Sequence, residues 1–539
     1  MTGTLLLNAR VRTMDPTRPL AEAVLIRAGR IAAVGAAGDL RVLAPGARVI
    51  DAGGRLCLPG FQDAHIHLLD GGVDHVASAP LWDVAGVADL CRVLAAHAAT
   101  SPLPLVMGAG WQAGAFGDHN LSAAVIDSVV PDRPAILYDS SYHLAVANTA
   151  ALRMAGIGAD TPDPPKGHFV RDATGRPTGM LHEEATQVVR DRLPPISADT
   201  HFAGLLAAQA LANRHGITGV LDPRIEPHNA AAYGRAVAEG RLTLRVAGAA
   251  LVTPEDTPET ALSRLTALRA AHPGPMFHVQ SAKFFLDGVF ENGTAACLAP
   301  CTDGGNAEAM FDSAQIRALF TALDGARFQI HVHAIGDAAT RAALDGMAAA
   351  RGANGVWPAL HQIAHLQLVH PDDMPRLAAL GAMANIQPLW ARFDPTIPDV
   401  ALDLIGRDRW HLTYPFRALL DAGATACLSS DWPVTTLNPF PIIETAVTRR
   451  PQHHEGDGPA FHPEHRLTVA EAVAGYTTHA AAACWRGDLT GMIRPGLSAD
   501  LILLDRDIFT CAPDDIGATQ VDLTLFQGCE VHRAPGFGG

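Results

Sequence analysis

The chain has 539 residues, a formal charge of −15, and 48% hydrophobic against 18% charged residues. That length exceeds a single core of ordinary size, and the composition is that of a soluble globular protein rather than a disordered one. An acidic balance with no notable Lys/Arg cluster excludes nucleic acid and anionic membrane as partners and leaves a small-molecule substrate.

The first residues, MTGTLLLNARVRTMDP, lack the basic region, long apolar stretch and cleavage site of a secretory signal. No uninterrupted apolar run is long enough to span a bilayer. Residues 1–58 read as short strands and turns, alternating apolar and polar residues with Gly and Pro between them. A matching stretch, 490–539, holds GMIRPGLSADLILLD and a strand-like region from Val521 to Val531, then a loose tail, APGFGG. The two ends are expected to form one composite β-sandwich.

Residues 59–489 carry eight strand candidates. The first ends near His67, and the others are 216–222, 241–251, 277–288, 327–337, 361–368, 382–389 and 424–432. After the second strand, Ala- and Leu-rich helical stretches fill the intervals. Strand and helix alternating eight times predict an α/β fold, a (β/α)8 TIM-like barrel. The interval 70–215 is too long for one crossover and is expected to be an inserted α/β subdomain over the barrel mouth. Eight cysteines, none in a CxxC pair, suit neither a disulfide framework nor a zinc ribbon and fit a reducing cytoplasm. Cys297 and Cys301 read as buried or incidental thiols.

Six residues fall at or near the ends of these strands: His65, His67, Lys283, His333, His365 and Asp431. Catalytic groups of a parallel barrel come from the C-terminal ends of different strands, so one face would collect all six. His65 and His67, two apart on a predicted strand, point the same way, and neutral imidazoles suit zinc and similar ions. Lys283 is a poor ligand as an ammonium, but a desolvated lysine between cations loses its proton. The free amine can add carbon dioxide to give a carbamate able to bridge two metals. Two divalent ions bring four positive charges; carbamate, the Asp431 carboxylate and hydroxide offset three, leaving a charge that is easier to bury. His333 and His365 would complete the second metal's shell. His331 forms an HxH pair with His333 and stays open as the alternative. An ordinary strand lysine at 283 and a helix N-cap at Asp431 are the plainer readings.

These motifs, with GRIAAVG, IDAGGRLCLPGFQDAHIH, KFFLDGVFENGTAA, HVHAIGDAA, HLQLVHPDDM, SSDWPV and GMIRPGLSADLILLD, resemble the amidohydrolase superfamily. Within it they resemble family 3, which includes N-substituted formamide deformylases. The resemblance implies a metal-dependent hydrolase of amide, formamide, imide or related C–N bonds, the barrel with its β-sandwich, and a homodimer. By position in SYHLAVANT, it makes His143 a candidate substrate contact, with Trp111 as a candidate wall of the same pocket. Two departures stand out: Ala364 where members often carry Glu, and Cys301 where they often carry Tyr. The expected mechanism uses two divalent ions, zinc preferred, with Lys283 N6-carboxylated. A hydroxide bridging the ions attacks the carbonyl, and Asp431 takes its proton and passes it to the leaving nitrogen. The alternatives are a one-metal deaminase or hydrolase using His65, His67, His333 and Asp431, and a non-catalytic barrel serving as a scaffold.

Overall fold

Eight parallel strands form the centre of the molecule. They are β1 (Phe61–Asp63), β2 (Ile217–Ile225), β3 (Arg245–Leu251), β4 (Phe277–Phe285), β5 (Gln329–Ala334), β6 (Gln362–His365), β7 (Met383–Ile386) and β8 (Thr425–Leu428). They pair in sequence order, and a hydrogen bond from Ala64 N–H to Leu428 O joins the last strand to the first. The computed structural model describes residues 3–112, 116, 121–165, 167–393, 401–452 and 458–538.

All eight expected strands are present, most of them shorter than the apolar runs suggested. The outer layer starts where the sequence supplies helix caps. Thr257 with Thr260, and Asp312 with Gln315, form capping boxes ahead of helices Pro258–Ala271 and Ser313–Gly325. Helices Leu68–Ala77 and Ala198–Arg214 cross where Gly72 faces Gly204; a Cβ on Gly72 would sit 2.3 Å from the Gly204 carbonyl oxygen. Only glycine permits that approach, and it holds together two helices that the long insertion separates.

Between those helices lies a six-stranded mixed sheet, in the order Gly167–Arg171, Pro177–Glu183, Leu144–Ala147, Ala135–Asp139, Val106–Trp111, Ser78–Pro80. It has its own apolar core, including Leu90, Leu94, Trp111 and Ile126. The terminal segments form two further sheets. One takes only N-terminal strands, Arg30–Gly35, Ala23–Arg27, Thr4–Leu7 and Arg48–Asp51. The other joins Leu56–Pro59, Arg10–Arg12 and Leu20–Ala21 to the C-terminal strands Leu501–Leu504, Val521–Phe526 and Cys529–Arg533. Both sheets contribute to one core, with Leu6, Val24 and Ile50 from the first and Val11, Leu503 and Leu525 from the second. The expected loose tail is instead anchored: Phe537 is buried in that core, with the guanidiniums of Arg55 and Arg533 over its ring.

A buried ion pair ties the barrel to this terminal unit. Arg245 on β3 donates to Asp500 and to Ser498 Oγ. Asp500 also accepts from Thr490 Oγ1, Ser498 Oγ and the Gln527 N–H, each at 2.9 Å. Removing one partner would leave the other charge buried and unpaired. Asp500→Ala is therefore expected to cost about 3–5 kcal/mol of stability in a denaturant titration. A loss below about 1 kcal/mol would show that the pair does not hold the two units together.

Candidate metal centre and active site

The site is built where β1 meets β8. β1 stops at Asp63, so His65 and His67 lie in the turn beyond it rather than on the strand, and His67 occupies the N-cap position of helix Leu68–Ala77. The turn still brings both rings to one place. The Asp63 carboxylate accepts the N–H groups of His65 and Ser430, and Asp431 N–H donates to the His65 carbonyl at 2.9 Å. Asp431 itself has φ +57, a left-handed conformation that is uncommon outside glycine and recurs at functional sites. As a result, Asp431 Oδ1 lies 3.3 Å from His65 Nε2 and 3.5 Å from His67 Nε2.

His365, also left-handed at φ +79, ends β6 with Nδ1 4.0 Å from Asp431 Oδ2. Ligand atoms of His65, His365 and Asp431 lie within 4.8 Å of one another. His365 thus lies beside Asp431 as well as beside His333, with which the sequence put it on a second metal. The His333 ring is 4.4 Å from that of His365, but its Nε2 faces Gly288 O at 3.3 Å. His331 points inward as well, and its Nε2 meets His65 Nδ1 at 2.8 Å. With Nδ1 used there, His65 keeps Nε2 for a metal, so His331 orients a ligand.

Lys283 is wholly buried near the end of β4, its Nζ 4.4 Å from the Phe285 ring centroid. Neither Lys283 Nζ nor Asp431 Oδ1 has a hydrogen-bond partner. Burial pushes the amine's pKa down, against the pull of Asp431, and pushes the carboxyl's up, against Lys283. Burial also holds His65, His67, His331, His333 and His365 toward the neutral form, with Lys283 adding to the effect. Neutral imidazoles, a readily deprotonated amine and an unpartnered carboxylate oxygen are the donor set a divalent transition metal takes. The residues fit such an ion.

The insertion reaches this face through His143, whose ring is 6.0 Å from that of His333. His143 Nδ1 pairs with Glu183 Oε2 at 2.8 Å, and Thr294, in the loop after β4, donates to Glu183 Oε1. Burial opposes a charge on His143, yet Glu183 outweighs it and raises the pKa to about 9. Trp111 is not in this group: its indole is buried in the insertion's own core and donates to Leu137 O at 3.1 Å. Ala364 is buried opposite His333 and Asn385 in the barrel ladder. Cys301 is half-buried against an apolar cluster containing Phe290, Ile335 and Leu368, and all eight cysteines are free thiols.

Gln387 and Trp390, just past β7, were not among the residues singled out in the sequence. The Gln387 side-chain oxygen lies 3.0 Å from His365 Nδ1, while its amide donates to Asn385 Oδ1 and Ser429 Oγ. Asn385 donates on to Gln362, and Gln362 to the Ala483 carbonyl beneath the barrel. This chain fixes Nδ1 of His365 as the protonated nitrogen and frees Nε2. Trp390 stacks on His365 at 5.1 Å with the rings 4° apart. The alternation of Asn385 and Gln387 in MANIQPL, two polar residues two apart in an apolar strand, was the available signal.

Gln387→Leu is expected to weaken metal binding about 10–100-fold in a chelator competition while leaving the fold intact; unchanged affinity would remove the orienting role. In metal-depleted protein, the His143–Glu183 pair should stabilise by on the order of 2–3 kcal/mol. Because the His143 pKa is raised, that contribution is complete below its ordinary value of 6.5 and disappears as pH climbs through about 9. The stability gap between wild type and Glu183→Gln should accordingly shrink between pH 7 and 10, and a constant gap would contradict the pairing.

The sequence profile of the Amidohydrolase family matches residues 48–532. The chain is 29% identical to the N-substituted formamide deformylase of Arthrobacter pascens over 98% of both chains. It is also 29% identical to the protein LONG AFTER FAR-RED 3 of Arabidopsis thaliana, over 96% of this chain and 89% of that one. A metal-dependent hydrolase of Pyrococcus horikoshii OT3 superposes with a TM-score of 0.77 at 21% identity, covering 95% of this chain and 99% of that one. The fold is shared with that structure, and the span matched by the family profile contains every residue of the candidate metal centre. The chain belongs to the Amidohydrolase family.

Proposed function

We propose that this metal-dependent hydrolase cleaves the C–N bond of an amide, formamide or imide, using two divalent ions, with zinc preferred. One observation carries the reading: Lys283 Nζ and Asp431 Oδ1 are buried without hydrogen-bond partners among imidazoles held neutral. A fold that leaves an amine and a carboxylate oxygen unpaired in its interior is unstable there unless a cation completes them. His65, His67 and Asp431 would hold one ion and His333 and His365 the other, with Lys283, N6-carboxylated, shared between them. When bound, such ions lower the pKa of water and polarise a carbonyl oxygen.

The chain's own groups supply the rest. Burial raises the Asp431 pKa, so its carboxyl can accept a proton and return it to a leaving nitrogen. His143 uses Nδ1 on Glu183, which leaves Nε2–H to donate to substrate across from His333. Trp390 covers His365 and keeps water off that wall. The name of the Arthrobacter pascens relative supports N-substituted formamides as the first substrates to test.

Elemental mass spectrometry on protein purified without chelator or affinity-tag metal tests the site. Near two equivalents per chain are expected, falling in Lys283→Ala. Asp431→Asn should retain metal yet lose turnover by about 10²–10⁴-fold; near wild-type rates would end its assigned role. The compact His65, His365 and Asp431 group favours the one-metal alternative if one equivalent is found and Lys283→Ala leaves it unchanged. No metal, even after incubation with zinc and bicarbonate, would overturn the hydrolase reading.

A further inference from the structure

A second set of unpartnered nitrogens lies in the segment after β8, away from the metal centre. Helix Pro439–Thr448 ends at Arg449, whose side chain is wholly buried. Its Nε donates to Phe461 O at 2.9 Å, but Nη1 and Nη2 have no hydrogen-bond partner. The guanidinium carbon lies 5.0 Å from the Phe416 ring centroid and 5.5 Å from that of Phe461, and Tyr414 packs against both rings.

Two histidines from the same segment lie within electrostatic reach of this guanidinium. His462 Nε2 and His465 Nδ1 are buried without a well-formed hydrogen bond, and backbone groups of Trp410 and His411 lie near the two rings. Their rings are 6.2 Å apart, the His462 ring is 4.2 Å from Phe461, and the charge of Arg449 acts on both. The neighbouring Glu464 sits by the other nitrogen of His462, Nδ1, at 3.5 Å, and its side chain is 58% exposed. Among the described residues, no carboxylate lies within ion-pair distance of Arg449.

We propose that Arg449, His462 and His465 enclose a site for a small monovalent anion of halide size. The guanidinium has only donors and cannot shed its charge at neutral pH; burial lowers its pKa only to about 9. Water would satisfy its N–H groups but leave the charge to the more distant Glu464 carboxylate and Tyr414, whereas an anion in contact satisfies both. The donor-only guanidinium also disfavours a metal cation. Phe461 in turn meets Phe393, in the loop after β7.

Bromide and chloride are the probes, at constant ionic strength balanced with gluconate. Full-length protein should show a saturable rise in unfolding temperature of about 2 °C or more, complete below about 100 mM halide. Crystals soaked in bromide should give an anomalous peak within roughly 3.5 Å of Arg449 Nη1 or Nη2. His465→Ala should weaken the halide effect about tenfold or more, and it carries the test if Arg449→Leu fails to fold. Equal unfolding temperatures in gluconate and halide would overturn the site. So would a bromide peak without a saturable shift, which marks an adventitious ion only, or a shift that His465→Ala leaves unchanged.

Discussion

The active face depends on how the barrel closes between its first and last strands. Ala64 bonds to Leu428, Asp431 to His65, and the Asp63 carboxylate accepts N–H groups from both sides of the seam. Those few bonds place His65 and His67 beside Asp431 although hundreds of residues separate them. Asp63 is buried, and burial raises its pKa to about 7 against the pull of its Ser430 and His65 bonds. The carboxylate is therefore held in an environment that disfavours its charge, and the fixed N–H donors are what keep it there.

The rest of the centre is a problem of burying polar groups. Five histidines, a lysine and an aspartate share a volume from which water is largely excluded, and burial drives each toward its neutral form. Neutral imidazoles keep the lone pairs that ligation needs. The barrel interior below them is also polar rather than apolar. Gln362, Asn385, Ser429 and Gln387 satisfy one another in a continuous network that runs up to His365. Such a network specifies one arrangement of its ligand because every amide in it has a single satisfying orientation.

The insertion adds the outer wall without adding a ligand. Its sheet has a separate core, and only its His143 and Glu183 end touches the metal face, tied to the loop after β4 through Thr294. Loops and insertions over the C-terminal ends of the strands are where barrel enzymes place the groups that vary, while the strands beneath stay fixed.

The eight strands, their order and the six residues at their ends were legible in the sequence, because apolar runs and helix caps are local signals and a parallel barrel uses strand ends in a fixed way. Three things were settled only by the folded chain. His65 and His67 share a face through a turn, not through strand alternation, since β1 ends at Asp63. His331 orients His65, and Gln387 orients His365, because hydrogen bonds between strands far apart in sequence decide which imidazole nitrogen is free. Trp111, judged by position, belongs to the insertion core. Residue type and spacing determine which groups can reach one face; burial and long-range hydrogen bonding determine the proton each carries and the direction it points.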